Sequence, residues 1–240
     1  MNQNVVFLIP STSRNCDYKS LNDSVLINIF YESIKQFDIT PYKFIVGFDD
    51  DDEFYLKEIE NLKNILPNNF YFHFYNNYDK SYSCIVNQLA NTAIIQYDAE
   101  FIYLTADDLY FYTLDYINVF VDYIKNNNNF GLGQPVDKTN IGFKHNNPID
   151  QHYGICTHPF IHKNHIKYLG YLIPPKIKNW FCDNWITNVY RRFGKIIMTQ
   201  IPVIENKIFL KRYDVSMVDQ ENLNKFIKDS YDVFHTKINN

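Results

Sequence analysis

What most constrains this chain is an alternation in its first 136 residues. Five short apolar runs are separated by segments with helical spacing. "NVVFLIP" (4–10), "YKFIVGF" (42–48), "NFYFHFYNN" (69–77), the run inside "AEFIYLTADDLYF" (99–111) and "NFGLGQPV" (129–136) read as buried strands. Between them, residues 21–37, 54–66, 81–97 and 113–127 place apolar side chains three and four apart, with Asn22 or Asp23 and Thr113 as candidate caps. Strands apolar along their whole length, each followed by a helix, predict a parallel α/β sheet covered by helices on both faces. Ligands of such sheets bind beyond the carboxyl ends of the strands. Three strands here run into polar loops: Ser11–Asn15, Asp49–Asp52 and Asp107–Asp108.

The second half is less regular. Residues 137–159 read as a long loop, 180–194 as a helix stopped by Gly194, 195–204 as a strand and 216–230 as a surface helix. The 240 residues, 46% of them hydrophobic, suffice for one large core. A net charge of −4 argues against an electrostatic nucleic-acid binder. Four cysteines, Cys16, Cys84, Cys156 and Cys182, stand far apart with no C-x-x-C pair, so reduced, mostly buried thiols are expected rather than a zinc site. No apolar run reaches the length of a membrane span, and the six-residue run at the N-terminus is short for a signal sequence. A soluble, cytoplasmic protein without a transmembrane segment is the expectation.

The side chains that could carry chemistry sit mostly at those strand ends. Asp107 and Asp108 follow a buried strand, where adjacent carboxylates suit a hard divalent cation; a solvated turn would use the same residues. Asp49 and Asp50 open a run of four acids, which is either a solvated loop or a hydrogen-bonding site for a nucleobase or ribose. "PSTSRN" offers hydroxyls and the Arg14 guanidinium to phosphate oxygens but lacks the glycines of a P-loop. Asp183, in "NWFCDNWI", is an acid in an aromatic setting, either a helix-start acid or a general base with a raised pKa. His152, His158, His162 and His165 cluster in sequence, but Pro159 interrupts the helical spacing of His158 and His162, which favours substrate-binding or structural roles over metal ligation.

The ordered set "IPSTSRN", "GFDDDD", "TADD" and "CDNW" resembles glycosyltransferases of the GT-A fold, close to the family 2-like group of nucleotide-diphospho-sugar transferases. The resemblance covers about residues 4–212 and implies one Rossmann-like domain over 1–240. Residues 1–112 would form its nucleotide-sugar half, and 113–240 its acceptor half and tail. It implies that Pro10, Ser11, Thr12 and Arg14 form the first donor-binding loop and that Asp49 and Asp50 contact uracil. Asp107 and Asp108 would correspond to the D-x-D-like element that holds Mn2+ or Mg2+ with the donor diphosphate, with Asp108 as the direct ligand. Asp183 would be the base of an inverting transfer from a nucleotide-diphosphate sugar to a saccharide or glycoconjugate hydroxyl. His158, Trp180 and Trp185 would lie on the acceptor side. Two departures stand out: Thr105 occupies the first acid position of a full D-x-D, and "PVIENK" offers Glu205 and Asn206 where many members have a histidine ligand, leaving His235 as a remote alternative. Two other readings compete. A nucleotidyltransferase would carry a glycine-rich loop after the first strand, which "STSRN" lacks. A non-catalytic sugar- or nucleotide-binding module would keep the fold without turnover.

Overall fold

The computed structural model describes residues 4–78, 80–140, 154–208 and 220–239. Their strands form one eight-stranded sheet. β1 (Val5–Pro10), β2 (Lys43–Asp49), β3 (Phe70–Tyr75) and β4 (Phe101–Leu104) run parallel in the order β3-β2-β1-β4. Successive residues of these apolar strands point to opposite faces, which creates two cores. Phe7, Phe44 and Tyr103 enter one, with Phe30, Phe111 and Phe120. Val6, Leu8, Ile45, Ile102 and Leu104 enter the other, with Val86, Leu89, Trp185 and Phe234.

The connecting helices are α2 (Glu53–Ile65), α3 (Tyr82–Tyr97) and α4 (Tyr116–Asn126). Local chemistry sets their starts: Asp52 caps α2 by accepting from Tyr55 N, and Ser81 caps α3 by accepting from Cys84 N at 3.2 Å. α4 does not begin at Thr113, whose hydroxyl instead accepts from Asp115 N in a local turn. The single helix expected over 21–37 is broken. A 3-10 turn (Leu21–Asp23) ends at Ser24 in extended conformation, then a π-helical stretch (Leu26–Tyr31) leads into α1 (Glu32–Ile34). The Ser24 hydroxyl is drawn 2.7 Å from the Tyr55 phenol, a tertiary bond that no local periodicity announces.

Beyond β4 the sheet departs from the simple parallel scheme. β7 (Phe160–His162) inserts antiparallel between β4 and β6 (Leu132–Asp137); β8 (Ile196–Asn206) pairs parallel with β6; and β5 (Leu109–Phe111) closes the far edge antiparallel to β8. The run 99–111 is thus two strands, not one. Residues 105–108 link the fourth position of the sheet to the eighth. Leu109 N donates to Ala106 O at 3.2 Å, so the link contains a tight turn that brings those Cα atoms within about 7 Å. Four flat strand spacings would need about 19 Å, so the sheet must curl. The curl lays Phe111 against Phe30, Phe7 and Tyr103 at ring separations of 5.4 to 6.2 Å.

In the second half, α5 (Asn164–Leu169), α6 (Cys182–Arg191) and α7 (Gln220–Asn239) follow. β7 and α5 were not expected; three and six residues are too few to show a period. His152 and much of the expected 137–159 loop lie outside the described residues, as does the start of the expected 216–230 helix. All four cysteines are free thiols, three of them buried. Among the described residues no helix is long and apolar enough to cross a membrane.

Candidate active site

The carboxyl ends of β1, β2 and β4 meet on one edge, and the polar loops meet with them. Ser11 N donates to Gly47 O at 2.9 Å, joining the end of β1 to that of β2. Thr105 bonds Leu8 O through both its N and its hydroxyl, each at 2.9 Å, joining β4 to β1. Thr105 therefore spends its polar atoms on the sheet. Ser11 Oγ then donates to Asp107 Oδ2 at 2.7 Å. Asp107 is wholly buried and Asp108 is 8% exposed.

The run of four acids divides by role. Asp52 is buried and structural: besides capping α2 it accepts from Thr12 Oγ1 (3.2 Å), Ser13 N (2.7 Å) and Ser13 Oγ (2.6 Å), fixing the loop after β1. Asp49 is buried at the end of β2, where its Oδ1 accepts from Asn77 Nδ2 at 2.8 Å and its Oδ2 faces Arg14 Nη2 at 3.1 Å without a hydrogen bond. Burial raises its pKa, and the Asn77 bond and the Arg14 charge pull it back. Asp50 is exposed and accepts from Asn76 Nδ2. Arg14, expected to face a diphosphate, ion-pairs with Asp49 at 3.1 Å and with Asp51 at 2.8 Å. Pro10 and Thr12 are buried beneath this loop.

On the other side of the edge stands α6. Phe181 precedes it with φ 73°, a left-handed conformation that costs a bulky residue about 1 kcal/mol or more. Two residues on stands Asp183, which is half-buried, and desolvation pushes its carboxyl pKa up to about 7. Thr187 Oγ1 lies 2.6 Å from Asp183 O, and Cys156 N donates to the same hydroxyl at 2.9 Å, which ties the helix start to the segment before β7 that bears His158. His158 is 5% exposed, and neither ring nitrogen has a hydrogen-bond partner. Burial lowers its pKa to about 4, with the charge of Asp137 opposing, so the ring is neutral near pH 7. Trp180 is 55% exposed beside the start of α3, where Tyr82 N donates to Asn179 Oδ1 and Ser83 N to Lys178 O.

Three expectations need correction. Trp185 has no exposed face to stack on a sugar: it is wholly buried between α6 and α7, with its indole N–H 3.2 Å from Ser230 Oγ. His235 is no third ligand. It packs against Tyr231, which stacks on Phe193 past the end of α6 opposite Asp183. Glu205 is held by Tyr112, Lys138 and Lys207 on the β5–β8 edge. Asn206 remains: its N donates to Asp137 Oδ1 at 3.3 Å, and its Oδ1 is buried without a partner.

Among the described residues no three His, Cys, Asp or Glu side chains converge as a metal-holding group. The donor set still fits a hard cation of the Mg2+ or Mn2+ kind, which is commonly held by one or two carboxylates and completed by substrate phosphates and water. Sequence reasoning missed Tyr55, Ser24, Asn77 and Asp137, which act through tertiary bonds; only Asp52, three residues before an inward Tyr55, carried a readable capping signal.

Among the described residues, a curled, mostly parallel eight-stranded sheet flanked by seven α-helices, with its acids on the carboxyl edge, is the GT-A form of the Rossmann-like fold. Solved glycosyltransferases share it. TarS of S. aureus in complex with UDP matches with a TM-score of 0.58 and 14% identity, over 95% of this chain and 65% of that one. The mannosyltransferase PcManGT of Pyrobaculum calidifontis, in complex with GDP-Man and Mn2+, matches with 0.59 and 12%, over 88% and 58%. A 4-diphosphocytidyl-2C-methyl-D-erythritol synthase from Anaerococcus prevotii matches with 0.53 and 12%, over 98% and 100%. The chain spans 37 to 66% of the length of the TarS chains it matches. No protein-family model matches the sequence, and no curated protein does.

Proposed function

We propose that this protein is a glycosyltransferase that moves a sugar from a nucleotide-diphosphate sugar, with UDP as the nucleotide, to an acceptor hydroxyl, with inversion. The observation that carries this reading is the shared sheet edge. The buried Asp107–Asp108 turn lies on one side, and an acid with a pKa of about 7 lies on the other. Asp49, with one oxygen outside any hydrogen bond, accepts the uracil N–H. Asp108, with Asp107 behind it, holds Mn2+ or Mg2+; the cation offsets charge on the departing diphosphate. Asp183 takes the proton of the attacking hydroxyl. Trp180 offers its exposed face to the acceptor, and His158 offers hydrogen bonds once a ligand reaches it.

The test is UDP release from UDP-sugars with saccharide acceptors, with and without Mn2+. Turnover should require the cation, and Asp108→Asn should abolish cation-dependent UDP binding. CDP should bind more weakly than UDP by about 1–3 kcal/mol, because cytosine lacks the N–H and leaves a buried acceptor unpaired. Tight UDP binding without turnover on any acceptor would favour a binding module.

The full-length match to a cytidyl-transferring enzyme keeps a nucleotidyltransferase as the second reading. Against it, the loop Ser11–Asn15 has no glycine through which backbone could wrap a triphosphate. Pyrophosphate release from a nucleoside triphosphate would decide for it.

A further inference from the structure

Tyr55 stands in the first turn of α2, wholly buried, with its ring stacked on Phe48 at 4.2 Å. A phenylalanine would fill the same packing. The phenol oxygen is the anomaly, because a buried hydroxyl needs partners. It has two: Ser24 Oγ at 2.7 Å and Ser11 Oγ at 3.2 Å. Ser11 Oγ also lies 2.7 Å from Asp107 Oδ2.

Counting protons orders the chain. A carboxylate oxygen only accepts, so the single Ser11 proton goes to Asp107, the nearer and charged partner. With that proton committed, the 3.2 Å contact is a hydrogen bond only if Tyr55 donates to Ser11, and Ser24 then donates to Tyr55 across the 2.7 Å contact. Burial, and after it the charge of Asp107, hold the phenol protonated well above its ordinary range. A second, independent observation is backbone: the helical run breaks at Ser24, the residue whose hydroxyl starts the chain.

We propose that Tyr55 is a positioning residue of the donor site: the one-way chain Ser24, Tyr55, Ser11, Asp107 fixes the buried acid and, through it, the turn that presents Asp108 to a divalent cation. This rests on the donor-site reading above. Tyr55 and Ser24 act on Asp107 from inside the core, through Ser11.

The experiment measures Mn2+ affinity in the presence of UDP, by electron paramagnetic resonance, for the wild type, Tyr55→Phe and Ser24→Ala. Cation-free UDP affinity and thermal midpoints are measured alongside. Tyr55→Phe should weaken Mn2+ binding by about 10-fold or more, the scale of a lost hydrogen bond serving a charged group. Ser24→Ala should weaken it by about 3-fold or more through the same chain, with cation-free UDP binding unchanged in both. A merely structural tyrosine would lower the midpoint and leave Mn2+ affinity alone. Should Tyr55→Phe fold poorly, Ser24→Ala, which deletes one atom, decides. Mn2+ affinities within twofold of wild type would overturn the proposal while the donor reading stands. A wild type that binds no Mn2+ with UDP would remove both.

Discussion

Asp183 carries a charge that the fold opposes. Its carboxyl titrates near 7 rather than near 3.8, because burial penalises the ionised form. A base must be ionised to accept a proton, so transfer should fall as pH drops through about 7. Asp183→Asn should keep donor binding and lose about 10²-fold or more in turnover. Stability should move the other way. A folded-state pKa raised above the unfolded value gives stabilisation that is full below about 3.8 and lost as pH rises through about 7. Asp183→Asn should therefore match the wild type near pH 4 and melt higher than it at pH 8, a gap that thermal denaturation at the two values would measure. Equal midpoints at both would place the carboxyl in open water. The aromatic neighbours in "NWFCDNWI" made the raised pKa of this acid legible from sequence, but not which aromatic is exposed: Trp180 and Trp185 read alike, and only the packing of α7 tells them apart.

Among the elements, close approach of helix to strand sets the tolerances. A Cβ built on Gly133 of β6 would meet the Phe120 ring of α4 at 2.4 Å, and one on Gly47 of β2 would meet Leu89 of α3 at 2.8 Å. Gly133→Ala should force α4 outward and cost about 1–3 kcal/mol, the usual penalty for overpacking. Urea denaturation reads it, and a cost under about 0.5 kcal/mol would show that Phe120 yields freely. The four parallel strands were legible as continuous apolar runs, and helices α2 to α4 because each is long enough to show its period. β5 and β7 were not, since three residues carry none, and β5 hid inside the run 99–111 as a continuation of β4. Its separation depends on β8, about 95 residues later, which no local pattern encodes.

At the scale of the whole molecule, the halves are joined by side-chain bonds to backbone. Asn87 of α3 donates to Ile173 O at 2.8 Å and accepts from Leu172 N and Ile173 N at 2.8 and 3.0 Å. Asn87→Ala would strand two donors and one acceptor in a largely enclosed place and should cost about 2–4 kcal/mol, measured by denaturation. It should also loosen segment 172–180, which leads to Trp180 and α6. The curl of the sheet has a consequence in time. The turn bearing Asp107 and Asp108 is anchored upstream by β1, but its downstream strand, β5, has its sheet partner only at Val203–Asn206. On a ribosome the chain emerges from its N-terminus. β1 to β4 can associate early, whereas the acids gain their second support only once residues 203–206 have been made. A nascent chain that has not yet reached residue 203 would thus hold the two acids by their upstream anchor alone.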